Sequence, residues 1–171
     1  MLVLVAIGAG LLVPLMLTAV AHGQVAQHAV GVMPGSGLLV GGGPGGSQTL
    51  RAPFFIDTSL RTWSDEQADM LLGGSLRLEL ENGSSAAIVP RAELRHRMGP
   101  LELRPGVALP LYFVPFSLFG VETGISLRGP TRSRFGLLAM LGLGVFFLGS
   151  DLPDDSAVVF FHGGLGVELQ I

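Results

Sequence analysis

Apolar and polar residues alternate one by one along most of this chain. In the last run, Val159, Phe161, Gly163, Leu165, Val167, Leu169 and Ile171 share one parity, while His162, Gly164, Gly166, Glu168 and Gln170 take the other. A period of two with one bulky apolar face is a strand signal. Seven such runs follow residue 50, at about 51–62, 70–82, 86–97, 101–112, 117–128, 134–148 and 157–171. Asn82-Gly83, Gly99-Pro100 and Gly129-Pro130 punctuate them with turn chemistry, which predicts hairpins. No helical pattern separates neighbouring runs, so the expected architecture is an antiparallel meander.

The charges sharpen the picture. Within each run every charged residue keeps to a single parity: Arg51, Asp57 and Arg61; Arg77, Glu79 and Glu81; Arg91, Glu93, Arg95 and Arg97; Glu102 and Arg104; Glu122 and Arg128; Arg134; Glu168. The opposite parity is apolar, as in Leu72, Leu76, Leu78 and Leu80, or Phe135, Leu137, Leu141, Leu143, Val145 and Phe147. Two architectures share this alternation. A soluble exported barrel would turn the charges to water and close around an apolar ligand; a transmembrane barrel turns the apolar face to lipid and fills its lumen with the polar face. The nearly uninterrupted apolar face favours lipid, as do the absence of lysine and an apolar terminal strand. A one-residue slip would place a strand's charges in lipid at roughly 2–4 kcal/mol per midplane Arg. Several together rival the roughly 5–15 kcal/mol that holds a domain folded, so the pattern sets one register.

The sequence therefore predicts an all-β, antiparallel up-and-down transmembrane β-barrel. Such barrels have an even strand count; with seven runs located, an eighth strand is expected before residue 50, at 24–33 or at 37–40 extended. The expected lumen network is Arg77, Glu79, Arg91, Glu93, Arg95, Glu102, Arg104, Glu122, Arg128, Arg134 and Glu168. Pairing is expected between Arg77 and Glu79 or Glu93, and between Arg104 and Glu102 or Glu122. Nine arginines face seven carboxylates across the seven runs. Phe113, Phe116, Phe146, Phe147, Phe160 and Phe161 gather around alternate connections and predict an interfacial girdle, with Trp63 and Phe135 at the opposite rim. Eight strands leave an interior just wide enough for side chains, so a plugged barrel is expected and not a general pore. Pro90, Pro105 and Pro110 each remove a ladder donor and call for bulges or rim positions.

Composition adds exclusions. Hydrophobic residues make up 49% and charged residues 13%, sparse against the quarter usual for a soluble domain. A net charge of −3 gives no reason to expect nucleic acid. With no cysteine there is neither disulfide nor zinc-thiolate site. Residues 1–21 read as a signal peptide ending in Ala19-Val20-Ala21. Because only the amino terminus precedes the apolar run with positive charge, a start lying upstream and an uncleaved anchor are the alternatives, the run being long enough to span a bilayer. Residues 22–49 form a Gly-rich segment expected to hold the first strand, and residues 50–171 the barrel meander. Gly41 to Gly46 lacks the Lys-Ser/Thr of a phosphate-binding loop. Residues 135–149 carry no charge and offer a competing reading as an inner-membrane helix, but fall short of the ~20 residues a span needs.

Size, meander, signal and the closing Gly163-Gly-Leu-Gly-Val-Glu-Leu-Gln-Ile171 together resemble the small outer-membrane barrels of Gram-negative bacteria, of the outer-membrane protein A membrane-domain and outer-membrane protein X types. Ile171 stands where those barrels usually carry phenylalanine. The resemblance implies a bacterial outer-membrane location, monomeric, with outer-membrane lipid and the envelope assembly machinery as partners and a structural, adhesive or minor transport role. Lipid-modifying barrel enzymes carry a His-x-Ser-Asn run that His22, His28, His96 and His162 all lack. A triad of His162, Glu122 and Ser126 can be drawn on the inner face, as any polar lumen allows. The expectation is no catalytic residue, no cofactor and no metal. Asp151, Asp154 and Asp155 read as a solvated loop, and Asn82-Gly-Ser84 as a tight turn.

Overall fold

The computed structural model describes residues 27–43, 46–63, 69–80, 85–114, 118–149, 152 and 157–171, with the side chains of 42–51 excepted. These form strands β1 (Gln27–Gly43), β2 (Gly46–Arg51), β3 (Phe54–Trp63), β4 (Met70–Glu79), β5 (Ser85–Leu94), β6 (His96–Met98), β7 (Leu101–Ala108), β8 (Leu111–Val114), β9 (Leu118–Gly129), β10 (Phe135–Gly149) and β11 (Ala157–Gln170). Among the described residues no helix is long and apolar enough to cross a membrane. The segment 135–149 is strand β10, which corrects the helical alternative.

Eleven strands make an eight-stave barrel because three staves are interrupted. β2 and β3 are one stave broken at Ala52-Pro53, β5 and β6 one broken at Arg95, and β7 and β8 one broken at Leu109-Pro110. Proline explains the last break. Leu109 N–H donates to the Pro90 carbonyl at 2.9 Å, but Pro90 has no N–H to return and Pro110 none to offer. The flanking register carries straight through, with Arg91 opposite Ala108 and Ile88 opposite Leu111. Pro105 stays inside β7, opposite Ile125.

Each stave pairs antiparallel with its chain neighbours, and β11 closes on β1 over twelve residue pairs from Ala29–Gln170 to Gly42–Ala157. Closure removes the free edge that an open sheet would expose and pairs the backbone within the protein, as a lipid surround demands. The eighth stave is β1, which joins both expected segments into one strand. Most of its inward side is small, with Ala29, Gly31, Gly35 and Gly37 beside the larger Met33 and Leu39, so its alternation with outward Val30, Val32 and Leu38 is faint in sequence.

The two faces separate by parity. Outside, Leu137, Leu141, Leu165 and Ile171 are 66–74% exposed, and a belt of leucine, valine and phenylalanine continues around the barrel. Inside lie the charges. A soluble barrel around an apolar ligand needs the reverse arrangement. β1 begins and β11 ends at one rim, the terminal rim, where β3, β6 and β9 also end and β4, β7 and β10 begin; the opposite ends of the staves lie at the far rim.

Candidate functional site, the barrel lumen

Among the described residues twelve charged side chains are buried in the barrel: Arg61, Arg77, Arg91, Arg95, Arg104 and Arg128 against Asp57, Glu79, Glu93, Glu102, Glu122 and Glu168. Among these the charges balance six against six. Arg97 and Arg134 are exposed near the terminal rim, while the Arg51 side chain and Glu81 lie outside the described residues. Arg134 is thus corrected from a lumen residue to a turn residue, one position before β10 begins.

Glu168 on β11 is the hub of the terminal half. It accepts hydrogen bonds from Arg104 at 2.7 and 2.9 Å and from Arg61 at 3.2 Å. Arg128 Nε stands 2.8 Å from it as an ion-pair contact. Arg61 also donates to Glu93 at 2.5 and 3.3 Å, and Arg104 to Glu102 at 2.5 Å. In the middle of the lumen Arg77 donates to Asp57 at 3.3 Å and to Glu122 at 2.9 Å, and Arg91 donates to Asp57 at 3.3 Å and Ser75 at 2.9 Å. The expected Arg104–Glu102 pair is present. For Arg77 and Glu93 the partners differ from those expected: the closed barrel brings Glu122 to Arg77 from across the lumen, and Arg61 to Glu93. Sequence neighbours cannot reveal such pairs, since Arg77 and Glu122 stand 45 residues apart.

The far half is aromatic. Phe55, Phe146 and Phe160 are buried with Tyr112. Phe55 meets Phe160 edge-on at 6.3 Å, and Tyr112 meets Phe146 at 5.5 Å, geometries aromatic quadrupoles favour. The Tyr112 hydroxyl donates to Glu79 at 2.6 Å, and Ser85 donates to the same carboxylate at 2.7 Å. Arg77 joins the two halves, with its guanidinium 5.1 Å from the Phe55 ring centre, within cation–π range. Two members of the expected girdle are therefore corrected. Phe146 and Phe160 face inward, while Phe113, Phe147 and Phe161 are exposed on the lipid parity; Phe116 lies outside the described residues. The reason is the period itself, because neighbours in a strand cannot share a face. Trp63 also turns inward, donating to Gln27 at 2.7 Å and lying 5.5 Å from the Arg95 guanidinium. Phe135 is exposed as expected. Phe55 and Tyr112 went unnoticed in the sequence, although both share the charges' parity.

No protein-family profile and no curated protein matches the sequence. Solved structures do. Neisserial surface protein A superposes with a TM-score of 0.56 at 11% identity, covering 82% of this chain and 97% of its own. Ail, the attachment invasion locus protein of Yersinia pestis, gives 0.54 at 15% identity, covering 85% and 99%. The fold is that of the small outer-membrane barrels.

The drawn triad does not assemble. His162 Nε2 stands 3.1 Å from Glu122, but Ser126 donates to Glu93 at 3.3 Å. The imidazole stacks on Phe160 at 4.7 Å and meets Phe55 edge-on, a packed position. A cavity of about 20 Å³ remains beside Arg91, Glu93, Glu122, Ser126 and Met140. It has room for a single water, by the ~10–15 Å³ criterion. Arg91, whose Nε has no protein hydrogen-bond partner, lines it. Asp151, Asp154, Asp155 and the Asn82 turn lie outside the described residues.

Proposed function

We propose that this chain is a bacterial outer-membrane β-barrel with a structural or surface-interaction role, whose lumen is closed and which is not a general pore. One observation carries the reading: an apolar belt faces outward while, among the described residues, six arginines and six carboxylates meet inside. A water-filled pore needs polar groups with open space between them. Here the guanidinium groups reach across the lumen into contact with carboxylates, and aromatic rings fill the far half.

On this reading residues 1–21 act as an export signal, the envelope assembly machinery inserts the barrel, and outer-membrane lipid covers the belt. The residues at work are structural, with no catalytic group and no cofactor. Fractionation tests location: the protein is expected with outer-membrane fractions, with a gel mobility that shifts on boiling. Recovery in the soluble periplasm would overturn the reading. Planar-bilayer reconstitution tests closure, and large, stable, weakly selective conductance by the unmodified monomer would overturn it.

A further inference from the structure

Two arginines at the terminal rim take no part in the lumen network. The connection 130–134 carries Arg132 and Arg134, both exposed, and among the described residues neither side chain has an ion-pair partner. Around it the carboxylates Glu102 and Glu168 point into the lumen, where they are held by Arg104 and Arg61. Exposed arginines on a loop are ordinary; this loop is held from within.

Arg128, buried in the lumen, donates to the Pro130 carbonyl at 3.2 Å, to Ser133 at 2.8 Å and to Arg134 at 3.4 Å. Thr131 N–H donates to the Pro100 carbonyl at 2.9 Å, which ties the turn to the neighbouring hairpin. Gln170 N–H donates to the Arg134 carbonyl at 2.8 Å, which ties it to β11. The backbone carbonyls are thus consumed inward, and the two guanidinium groups are left outside on a braced frame. Phe135 follows Arg134 directly and is 53% exposed on the belt parity, opposite the exposed Leu169. At about 3.3 Å per residue, Arg132 and Arg134 stand within about 10 Å of the last apolar ring. That is the depth of headgroups.

We infer that the braced 130–134 turn docks the phosphate of an anionic lipid headgroup through Arg132 and Arg134. This rests on the outer-membrane reading above. Guanidinium binds phosphate by paired, charge-assisted hydrogen bonds, and among the described residues no carboxylate forms an ion pair with either arginine. Near an anionic surface each arginine strengthens association by about fivefold, the equivalent of ~1 kcal/mol, so the pair is expected to contribute about 25-fold.

The test is native mass spectrometry of the folded full chain in detergent, titrated with phosphatidylglycerol or phosphatidylcholine. The unmodified protein is expected to retain phosphatidylglycerol preferentially. The R132Q/R134Q variant is expected to lose most of that preference, with phosphatidylcholine binding unchanged, and R132K/R134K to keep the larger part. The unboiled gel mobility of each variant reports its fold, since neither side chain braces the turn. Equal retention of both lipids by the unmodified protein would overturn the inference, as would full preference in R132Q/R134Q. Displacement of the lipid by an equal concentration of inorganic phosphate would show a free-anion site and also overturn it. Failure of the outer-membrane reading would look different, as a protein soluble without detergent and with no mobility shift on boiling.

Discussion

The two walls of this barrel are built on opposite plans. The wall from β3 to β8 carries the bulk: Arg61, Arg77, Arg91, Arg95 and Arg104 with Asp57, Glu79, Glu93 and Glu102 all point inward from it. The wall from β9 through β11 to β1 carries glycine, with Gly120, Gly124, Gly136, Gly142, Gly144, Gly164, Gly166, Gly31, Gly35 and Gly37 on the inward parity. The first wall offers five positive charges to four negative; the second offers Arg128 against Glu122 and Glu168. Each is therefore incomplete without the other. Long side chains of one wall cross to the carboxylates of the other, as Arg77 does to Glu122 and Arg104 to Glu168. Glycine makes room for this. A Cβ at Gly31 would sit 2.8 Å from Oγ of Ser59, and one at Gly35 would overlap Cζ of Phe55, both on β3. Eight strands enclose little more than side-chain volume, so a lumen with bulk on every stave would be overfilled.

The sharpest way to break this complementarity is at its hub. Glu168→Ala leaves three arginines without their shared carboxylate and is expected to cost about 3–5 kcal/mol, the usual loss when one partner of a buried pair is removed. Urea unfolding in detergent measures it. An effect below about 1 kcal/mol would show that the network contributes no more than surface pairs do.

Strand β10 allows inside and outside to be compared one residue apart. Leu141→Arg puts a charge on the belt and is expected to cost roughly 2–4 kcal/mol if it lies near the midplane. Gly142→Val, on the glycine wall, pushes a side chain against the His162 imidazole and is expected to cost about 1–3 kcal/mol as overpacking. The two variants differ in kind as well as size. Leu141→Arg impairs insertion into bilayers, whereas Gly142→Val inserts but unfolds at lower urea. Equal insertion of both variants would refute the assignment of faces.

The smallest effect is expected from replacing a cross-lumen pair whole. Arg77→Met with Glu122→Leu removes both charges and keeps the apolar bulk, and buried pairs replaced in this way are often near neutral. Either single change should cost more than the double change, read as unfolding midpoints across a double-mutant cycle. A double variant as unstable as the sum of the singles would mean that the pair does not act as a unit.

Local alternation decided which face of the sheet each residue takes, because side chains in a strand point to opposite faces in turn. Parity alone turns Asp57, Arg77, Glu93 and Glu168 inward and Leu141, Leu165 and Phe161 outward, and it turns Trp63, Phe146 and Phe160 inward against the expectation drawn from their aromatic chemistry. It was weakest where the chain uses glycine, which has no side chain to display a face, and so β1 went without sharp bounds. Only the tertiary structure decided who meets whom across the lumen. Arg77 reaches Glu122, and Arg104 reaches Glu168, because closing the sheet brings staves that share no hydrogen bond within a side chain's length. Closure is a property of the whole circumference, and no window of the sequence contains it. The same holds for Arg128, whose parity turns it inward, whereas its grip on the 130–134 carbonyls follows from how β9 and β10 meet at the rim.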